Sequence, residues 1–262
     1  MVSHNRAALL RRCLEALEHS EDRASFHVIL LDNGSTDDST ALEPEFPEIR
    51  FMRLPRNFGL TKALNIGIRS AEADYLFLLH DDAAVSPGAI RDLTAALDAN
   101  PDAGAVCPLL VDDDGSPAPQ AGDFPPDGVY ESVPAGPDPV EVDYASGAAL
   151  MFRIFFFKAM RQIDERYGQF GSDAELCFQI RRSGKKILVL PGARAVHHGR
   201  EWTSTVREAD FLLGAALFSG KHYGFLAGLK VRLGAIGGAL VHFRFGELFA
   251  LISGQKLDGT QS

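Results

Sequence analysis

A chain of 262 residues can bury a sizeable core, and we expect it to form one large domain with appendages. Its hydrophobic share of 46% and charged share of 23% are typical of globular proteins. The net charge of −9 argues against a general nucleic-acid binder, because such a protein needs a basic surface for the phosphates. The three cysteines are scattered without metal-ligand spacing, which indicates reduced thiols in a cytosolic protein.

Apolar periodicity predicts helices that alternate with strands along the first 110 residues. An apolar stripe between Leu9 and Leu17 has helical spacing. Strands are predicted at 26–31, 50–54, 75–79 and 104–109, and further helices at 57–69 and 87–99. This alternation is typical of an α/β fold in which helices flank a mostly parallel sheet.

The second half of the chain is less regular. Residues 112–143 contain an acidic run and seven prolines, which predict a long irregular loop of functional importance or high mobility. Beyond a strand predicted at 187–190, residues 207–253 look helical, and their longest apolar run is too short to span a membrane. Two roles are open for these helices: packing against the rest of the protein, which we favour, and association with an anionic membrane surface.

Three polar residues, His80-Asp81-Asp82, directly follow the apolar run Tyr75–Leu79. Adjacent carboxylates at the end of a buried strand are costly unless a cation lies nearby. Ligands bind at that edge of open α/β sheets, and oxygen ligands there suit a hard divalent cation. An acidic turn that caps the next helix explains the same residues, so this stretch alone leaves both interpretations open.

Other polar residues fall at predicted strand ends and helix starts. Asp32 could accept hydrogen bonds from a base or ribose, or simply form an Asx turn, and Asn57 and Gly59 could be capping residues. Asp173 lies where a helix dipole favours its ionised form, so it is a candidate general base or a plain helix cap. His197 follows a predicted strand, and a neutral imidazole there could complete a metal site.

Taken in order and spacing, the motifs resemble those of family 2 inverting glycosyltransferases with a GT-A fold, especially the rhamnosyltransferase-like branch of bacterial cell-surface polysaccharide synthesis. The resemblance extends from about Val2 to His198. It rests on Ser3-His4-Asn5-Arg6, Leu31 to Asp37, Asn57-x-Gly59, Asn65-x-Gly67, His80-Asp81-Asp82, Ser146-Gly147-Ala148, Asp164-Glu165, Gly171 to Leu176, and Ala193-x-x-x-His197.

The resemblance implies a role for each motif residue. Asp173 would be the catalytic base that deprotonates the acceptor hydroxyl, and Asp82 and His197 would bind a Mg²⁺ or Mn²⁺ ion on the donor diphosphate. The implied nucleotide-binding residues are Asn5, Asp32, Asn57, Gly59, Asn65 and Asp81, and the implied acceptor-binding residues are Ser146, Gly147 and Glu175. The implied reaction transfers a sugar, with inversion, from dTDP-rhamnose or a UDP-sugar to a glycan or lipid-linked acceptor.

We expect the following organisation of the chain. Residues 1–205 would form the GT-A domain, with a nucleotide-binding half at 1–110 and an acceptor and catalytic half at 111–205. Residues 206–262 would form a helical C-terminal extension. The expected partners are the donor and the acceptor, without nucleic acid, and the expected location is cytoplasmic, with peripheral contact at the inner face of the cell membrane through the C-terminal helices.

Three departures from the family pattern matter. His80 stands at the first aspartate of the family's DxD motif, and Ser172 replaces a glutamate beside the base. The apolar strand that precedes Ser3 in the family is missing, so we expect a truncated first strand. These departures leave a catalytically inactive nucleotide-sugar-binding module as the alternative. A nucleotidyltransferase is disfavoured because a Gly-rich, basic phosphate loop is not found near the N-terminus.

Overall fold

The computed structural model describes residues 1–126, 128, 130–198 and 205–254. The helices are α1 (Ala7–Glu18), α2 (Leu60–Arg69), α3 (Ala89–Ala99), α4 (Ile154–Met160), α5 (Ser172–Arg182), α6 (Thr205–His222), α7 (Phe225–Val241) and α8 (Phe245–Ser253), with 3₁₀ helices at Arg23–Ser25 and Asp38–Glu45. The strands are β1 (Val2–Ser3), β2 (Ile29–Asp32), β3 (Arg50–Arg53), β4 (Tyr75–Leu79), β5 (Ala83–Val85), β6 (Ala103–Val111), β7 (Pro119–Gly122), β8 (Tyr130–Ser132), β9 (Val140–Val142), β10 (Tyr144–Ala145), β11 (Ala149–Arg153) and β12 (Lys186–His197). The predicted α/β class is confirmed.

A parallel three-stranded sheet holds β1, β2 and β3 in that order. The predicted apolar stripe of α1 covers it, because Leu10, Leu14 and Leu17 share one core with Leu30 of β2. The strand β1 has two residues, and Val2 lies opposite Leu31. A short strand therefore stands at the position where the family resemblance places a longer one.

The larger sheet has the order β4-β11-β6-β12-β5, with β9 paired to β12. The predicted strand Tyr75–Leu79 is β4. All nine residues of β6 are buried, as expected for a central strand covered on both faces. Only its pairing with β12 is parallel, because β11 returns between β4 and β6 in the opposite direction. This sheet is mixed, whereas the sequence predicts a mostly parallel one.

The prediction of an irregular loop at residues 112–143 is wrong in part, because the segment contains β7, β8 and β9. β7 pairs with β8 and β10, and β9 extends the larger sheet at β12. Gln120 anchors the segment: its side-chain carbonyl accepts from the Leu110 amide at 2.6 Å, and its amide donates to the Pro108 carbonyl at 2.8 Å. These bonds organise a stretch whose prolines predict an irregular loop.

The predicted C-terminal helices are present as α6, α7 and α8. Two residues at the end of α6 attach them to α5: Lys221 and His222 lie 3.1 and 2.7 Å from the carboxylate oxygens of Glu175. Within the described residues, the helices are too short or too polar to cross a bilayer. The predicted boundary at 205/206 adjoins residues 199–204, which lie outside the described residues, as do residues 255–262 of the predicted extension.

Candidate active site

A cleft of about 520 Å³ opens where the ends of β1, β4 and β12 approach α5. Apart from the expected base, four of its lining residues are among the site residues expected from sequence and resemblance: Asp82, His197, Ser146 and Gly147. Asp173, the expected base, lines it too. Its other lining residues are Val2, Arg6, Leu60, Leu64, Leu78, Leu79, His80, Pro119, Tyr130, Ile163, Gln169, Phe170, Ser172 and Leu176. The cleft thus joins residues that are more than 110 positions apart in the chain.

One part of the cleft wall holds a cluster of metal-ligand type: His80, Asp82 and His197, whose ligand atoms all lie within 4.8 Å of one another. His197 Nε2 lies 3.1 Å from Asp82 Oδ1, and His80 Nδ1 lies 3.8 Å from the same oxygen. The His80 side chain is 41% exposed and that of His197 is 14% exposed, so His80 forms the open side. Sequence reasoning left the contribution of His80 undecided, and the structure brings it into the cluster.

The surroundings of Asp82 keep its carboxylate ionised. Burial alone raises its pKa, but the contact with His197 and the favourable electrostatic interactions with His80, His197 and Arg6 outweigh that effect and hold the pKa well below its usual range. Its Oδ1 atom is buried and lacks a hydrogen bond of normal geometry. An ionised, unsatisfied oxygen beside two imidazole nitrogens is a donor set that fits a divalent cation such as Mn²⁺.

Arg6 connects this cluster to Asp81. Its guanidinium lies 2.5 Å from Asp82 Oδ2 and 3.4 Å from Asp81 Oδ1, while Ser3 donates a 2.7 Å hydrogen bond to the other oxygen of Asp81. Burial raises the pKa of Asp81, and the charge of Arg6 and the bond from Ser3 oppose the rise. Sequence reasoning gave Arg6 and Ser3 no role of their own. Their signal was the polar run Ser3-His4-Asn5-Arg6 at the end of β1.

Asp173 is surrounded by neutral donors. Its Oδ2 accepts a 2.6 Å hydrogen bond from the Tyr144 hydroxyl and a 3.1 Å bond from the Gly147 amide. The Tyr144 hydroxyl also contacts that of Tyr130. Burial and the negative charge of Asp173 raise the pKa of Tyr144 well above its usual value, so Tyr144 stays protonated and remains a donor. Neither tyrosine was expected from the sequence.

Gly147 is required by close packing against the catalytic candidate. A Cβ atom at this position would lie 2.9 Å from the Asp173 Cβ, a distance that side-chain atoms do not adopt. Ser146, the residue before it, has a backbone amide that donates to the Gln120 carbonyl at 2.7 Å. The Ser146-Gly147 turn is therefore held between β7 and the first turn of α5, with its backbone against Asp173.

The expected nucleotide-binding residues form a second group of loops beside β2. Asp32 accepts from the Ser35 amide, three residues on, at 3.1 Å, so its side chain orders the turn after β2. The Asn5 side chain accepts from the Thr36 amide at 2.7 Å, and Asn5 itself has a φ of +52°. These bonds tie the loop after β1 to the loop after β2.

Asn57 and Gly59 shape the start of α2. The Asn57 side-chain carbonyl accepts from the Gly59 amide at 2.9 Å and from the Asn33 side chain at 2.8 Å. Gly59 has a φ of +84°, a conformation that glycine adopts without a steric penalty. Asn33 in turn accepts from the Phe58 amide at 2.9 Å. The two asparagine side chains and the glycine fix the backbone that faces the end of β2.

Asn65 and Glu175, both expected to contact a substrate, do not line the cleft. Asn65 is fully buried, and its side chain exchanges two 2.9 Å hydrogen bonds with the backbone of Ile163. Glu175 is 2% exposed and bonds to Tyr167, Gln179, Lys221 and His222. Burial raises its pKa, but the bonds from His222, Gln179 and Lys221 outweigh this and lower the pKa. Both residues hold structure together around the cleft.

Solved structures identify the class of fold. The chain is similar to a mannosyltransferase from Pyrobaculum calidifontis in complex with GDP-Man and Mn²⁺ (TM-score 0.62, 14% identity, 95% of this chain and 79% of that chain). It is also similar to GalNAc-T7 with UDP, GalNAc and Mn²⁺ (0.64, 19%, 77% and 42%) and to S. aureus TarS 1–349 with UDP-GlcNAc (0.64, 15%, 83% and 64%). The fold is that of GT-A glycosyltransferases, and the chain spans less than two thirds of the last two proteins.

Sequence comparison gives the family. The model described as glycosyl transferase family 2 matches residues 1–163, more than half of the chain. The chain belongs to this family. A curated relative, the N-acetylglucosaminyl-diphospho-decaprenol L-rhamnosyltransferase of Mycobacterium tuberculosis, is 28% identical over 228 residues, which cover 75% of this chain and 74% of the relative. An O-antigen biosynthesis protein of Myxococcus xanthus is 26% identical over 82% of this chain and 18% of its own length.

Proposed function

We propose that the protein transfers a sugar, with inversion, from a nucleotide-sugar donor to a glycan or lipid-linked acceptor in cell-surface polysaccharide synthesis. The observation that carries the proposal is the pairing of two different sites in one cleft: a cluster of metal-ligand type at His80, Asp82 and His197, and a carboxylate with neutral surroundings at Asp173. Family membership supplies the reaction class, and the cleft supplies the residues for it.

The first site would hold a Mg²⁺ or Mn²⁺ ion through Asp82 and His197, with His80 as a third ligand. When bound, such an ion acts as a Lewis acid that neutralises charge on a departing diphosphate. Two of the structural relatives were solved with Mn²⁺ and a nucleotide or nucleotide sugar, which supports the assignment. Arg6 would add a fixed positive charge beside the same diphosphate.

The second site would carry the acid–base chemistry. Asp173 would take the proton of the acceptor hydroxyl as that oxygen attacks the anomeric carbon, and a base opposite the leaving group gives inversion in a single displacement. The Tyr144 hydroxyl and the Gly147 amide would fix Oδ2 of Asp173. The Ala174 amide, in the first turn of α5, would orient Oδ1. Ser146 and Gly147 would line the acceptor path.

The nucleotide would lie against the loops after β1 and β2. In this proposal Asp32 and Asn5 face the base and ribose, the backbone of Asn57 and Gly59 forms the neighbouring wall, and Asp81 acts through Ser3 and Arg6. Asn65 and Glu175 have no direct part in this proposal, since their side chains are consumed by internal contacts.

The name of the M. tuberculosis relative favours a rhamnosyl donor and an acceptor with a polyprenyl-diphosphate-linked N-acetylglucosamine. We therefore rank dTDP-rhamnose first among donors, ahead of UDP-hexoses and UDP-galactofuranose. A lipid-linked acceptor would place the protein at the inner, cytoplasmic face of the cell membrane.

The test is hydrolysis and transfer with a panel of sugar nucleotides, in the presence and absence of Mn²⁺ or Mg²⁺. We expect metal-dependent release of the nucleoside diphosphate from one donor, faster when a lipid-linked acceptor is added. Nucleotide binding without release from any donor would overturn the proposal and identify an inactive nucleotide-sugar-binding module.

A further inference from the structure

The C-terminal helices expose apolar side chains at an unusual density. Among the described residues, 12 large hydrophobic side chains are exposed, and 11 of them lie between Tyr223 and Ile252. Monomeric soluble proteins rarely expose contiguous apolar patches of this kind without a binding function. The concentration on α7, α8 and the turn between them marks an interaction surface.

The exposed residues follow the helical repeat, so they form outward stripes. On α7 they include Phe225, Leu229 and Leu233, spaced by four residues, and on α8 they are Phe245, Phe249 and Ile252, spaced by four and three. We call these six residues the apolar face. Their inward neighbours Ala239, Ala250 and Leu251 are buried with Ala209 of α6 in a small core of their own. The helices thus have a packed side and an apolar outer side.

The charge of this region differs from that of the whole chain. Residues 223–254 contain three bases, Lys230, Arg232 and Arg244, and one acid, Glu247. Glu247 is fully buried and lies 2.8 Å from Arg244. Arg232 donates to the carbonyls of Leu251 and Ile252, and Arg244, in the turn between the two helices, also pairs with Glu208 of α6. Lys230 is exposed on α7, beside the apolar face, although the chain carries a net charge of −9. An exposed base beside an apolar face complements an anionic lipid surface.

We propose that the apolar face of α7 and α8 docks on an anionic bilayer surface, with its side chains in the headgroup region and Lys230 near the lipid phosphates. A second copy of the chain fits less well, because each copy would present Lys230 with no exposed acid on α7 or α8 to pair with it. The described helices do not span a bilayer, so the contact is interfacial. This inference deepens the proposed function and rests on it for the identity of the acceptor.

The docking surface is joined firmly to the catalytic part of the molecule. Gly228 of α7 crosses Gly220 of α6 so closely that a Cβ atom at 228 would lie 2.7 Å from the Gly220 Cα. The end of α6 is bound through Lys221 and His222 to the buried Glu175 of α5. Docking of α7 and α8 therefore sets the orientation of the cleft relative to the membrane.

The experiment measures co-flotation of the full chain with phosphatidylcholine vesicles, with and without phosphatidylglycerol. The test variant is Phe245→Ser with Phe249→Ser, and the matched control is Phe155→Ser, which alters a side chain 65% exposed on α4. We expect the wild-type chain to float with anionic vesicles, the double variant to bind about tenfold or more weakly, and the control to bind as wild type. Lys230→Glu should weaken anionic binding about fivefold.

Three results would overturn the docking surface: no flotation of the wild-type chain, equal binding to neutral vesicles, or an equal loss in the Phe155→Ser control. A wild-type dimer in sedimentation that the double variant converts to monomer, without vesicle binding, would identify a second copy as the occupant. Donor hydrolysis in vesicle-free solution separates the two proposals: flotation without hydrolysis leaves docking intact and overturns the proposed function, and hydrolysis without flotation does the reverse.

Discussion

Asp82 and Asp173 line the same cleft, but their neighbours differ in charge. Asp82 lies against two imidazoles and the Arg6 guanidinium, whereas Asp173 meets only neutral donors, the Tyr144 hydroxyl and the amides of Gly147 and Ala174, at the contacts resolved for it. An acid held ionised beside two imidazoles suits a cation that all three groups bind, while an acid whose oxygens accept from neutral donors can still take up a proton. Surroundings, not residue type, separate the two proposed roles.

The largest expected effect comes from removing the proton acceptor. Asp173→Asn keeps the shape of the side chain but not its basicity, so we expect transfer to fall about 10³-fold. Donor affinity should change by no more than a few fold, because Asp173 does not belong to the metal cluster. Initial rates with a saturating acceptor, together with donor titration, measure both quantities. Loss of donor affinity would show that the base is misassigned.

A smaller effect, in a different quantity, is expected at the other carboxylate. Asp82→Asn removes the ionised oxygen of the cluster and should weaken Mn²⁺ binding at least about 10- to 100-fold, measured by isothermal titration calorimetry. The matched control is Asp81→Asn, whose carboxylate faces Ser3 and Arg6 and does not belong to the cluster. Equal losses in the two variants would contradict the assignment of the cation to Asp82.

The tyrosine pair offers a finer test of the neutral surroundings of Asp173. Tyr144→Phe removes the 2.6 Å hydrogen bond to Oδ2, and bonds to charged groups are worth about 1.5–3 kcal/mol, so we expect kcat to fall about tenfold with KM for the donor unchanged. Tyr130→Phe should cost less, since its hydroxyl reaches Asp173 only through Tyr144. The ratio of the two kcat values is the readout, and a larger loss for Tyr130→Phe would contradict the arrangement.

Glu175, two residues along α5 from Asp173, extends the comparison to a carboxylate with a structural role. Its folded pKa lies below its ordinary value of 4.5, so its stabilising contribution is present above about pH 4.5 and is lost as the pH falls through the folded pKa. Glu175→Gln should lower the free energy of unfolding by about 1–3 kcal/mol at pH 7. Denaturant unfolding at several pH values between 7 and 3 measures this. The difference in the free energy of unfolding between wild type and Glu175→Gln should shrink as the pH falls, and a difference that stays constant would contradict the role given to the ionised Glu175.

Whether a strand or a site residue could be predicted from the sequence depends on how far apart in the chain its contacting residues lie. The strand Tyr75–Leu79 and the acidic turn after it were predicted in place, because apolar runs and turn residues are local signals. The strands β7 to β9 were missed, and β9 exists through its pairing with a distant segment, Ile187–Val189 of β12. Propensity rules favour a loop wherever prolines accumulate.

The same distinction explains which site residues the sequence identified. Asp82, Asp173 and His197 follow or begin recognisable elements, so their meeting at one sheet edge could be predicted. The buried role of Asn65 could not, because its partner Ile163 is 98 positions away. Tyr144 was hidden for a similar reason, since nothing in the sequence aligns it with a carboxylate 29 residues later.

The helix α5 carries Asp173 into the cleft and, two residues later, turns Glu175 towards α6. Successive helix residues rotate by about 100°, so the two carboxylates face nearly opposite sides of one rigid turn. With α7 and α8 resting on a bilayer, that turn would hold the cleft at a constant height above the lipid. An acceptor anchored in the same layer would then meet the enzyme by lateral diffusion in two dimensions, and its sugar would arrive at a fixed level rather than from bulk solution.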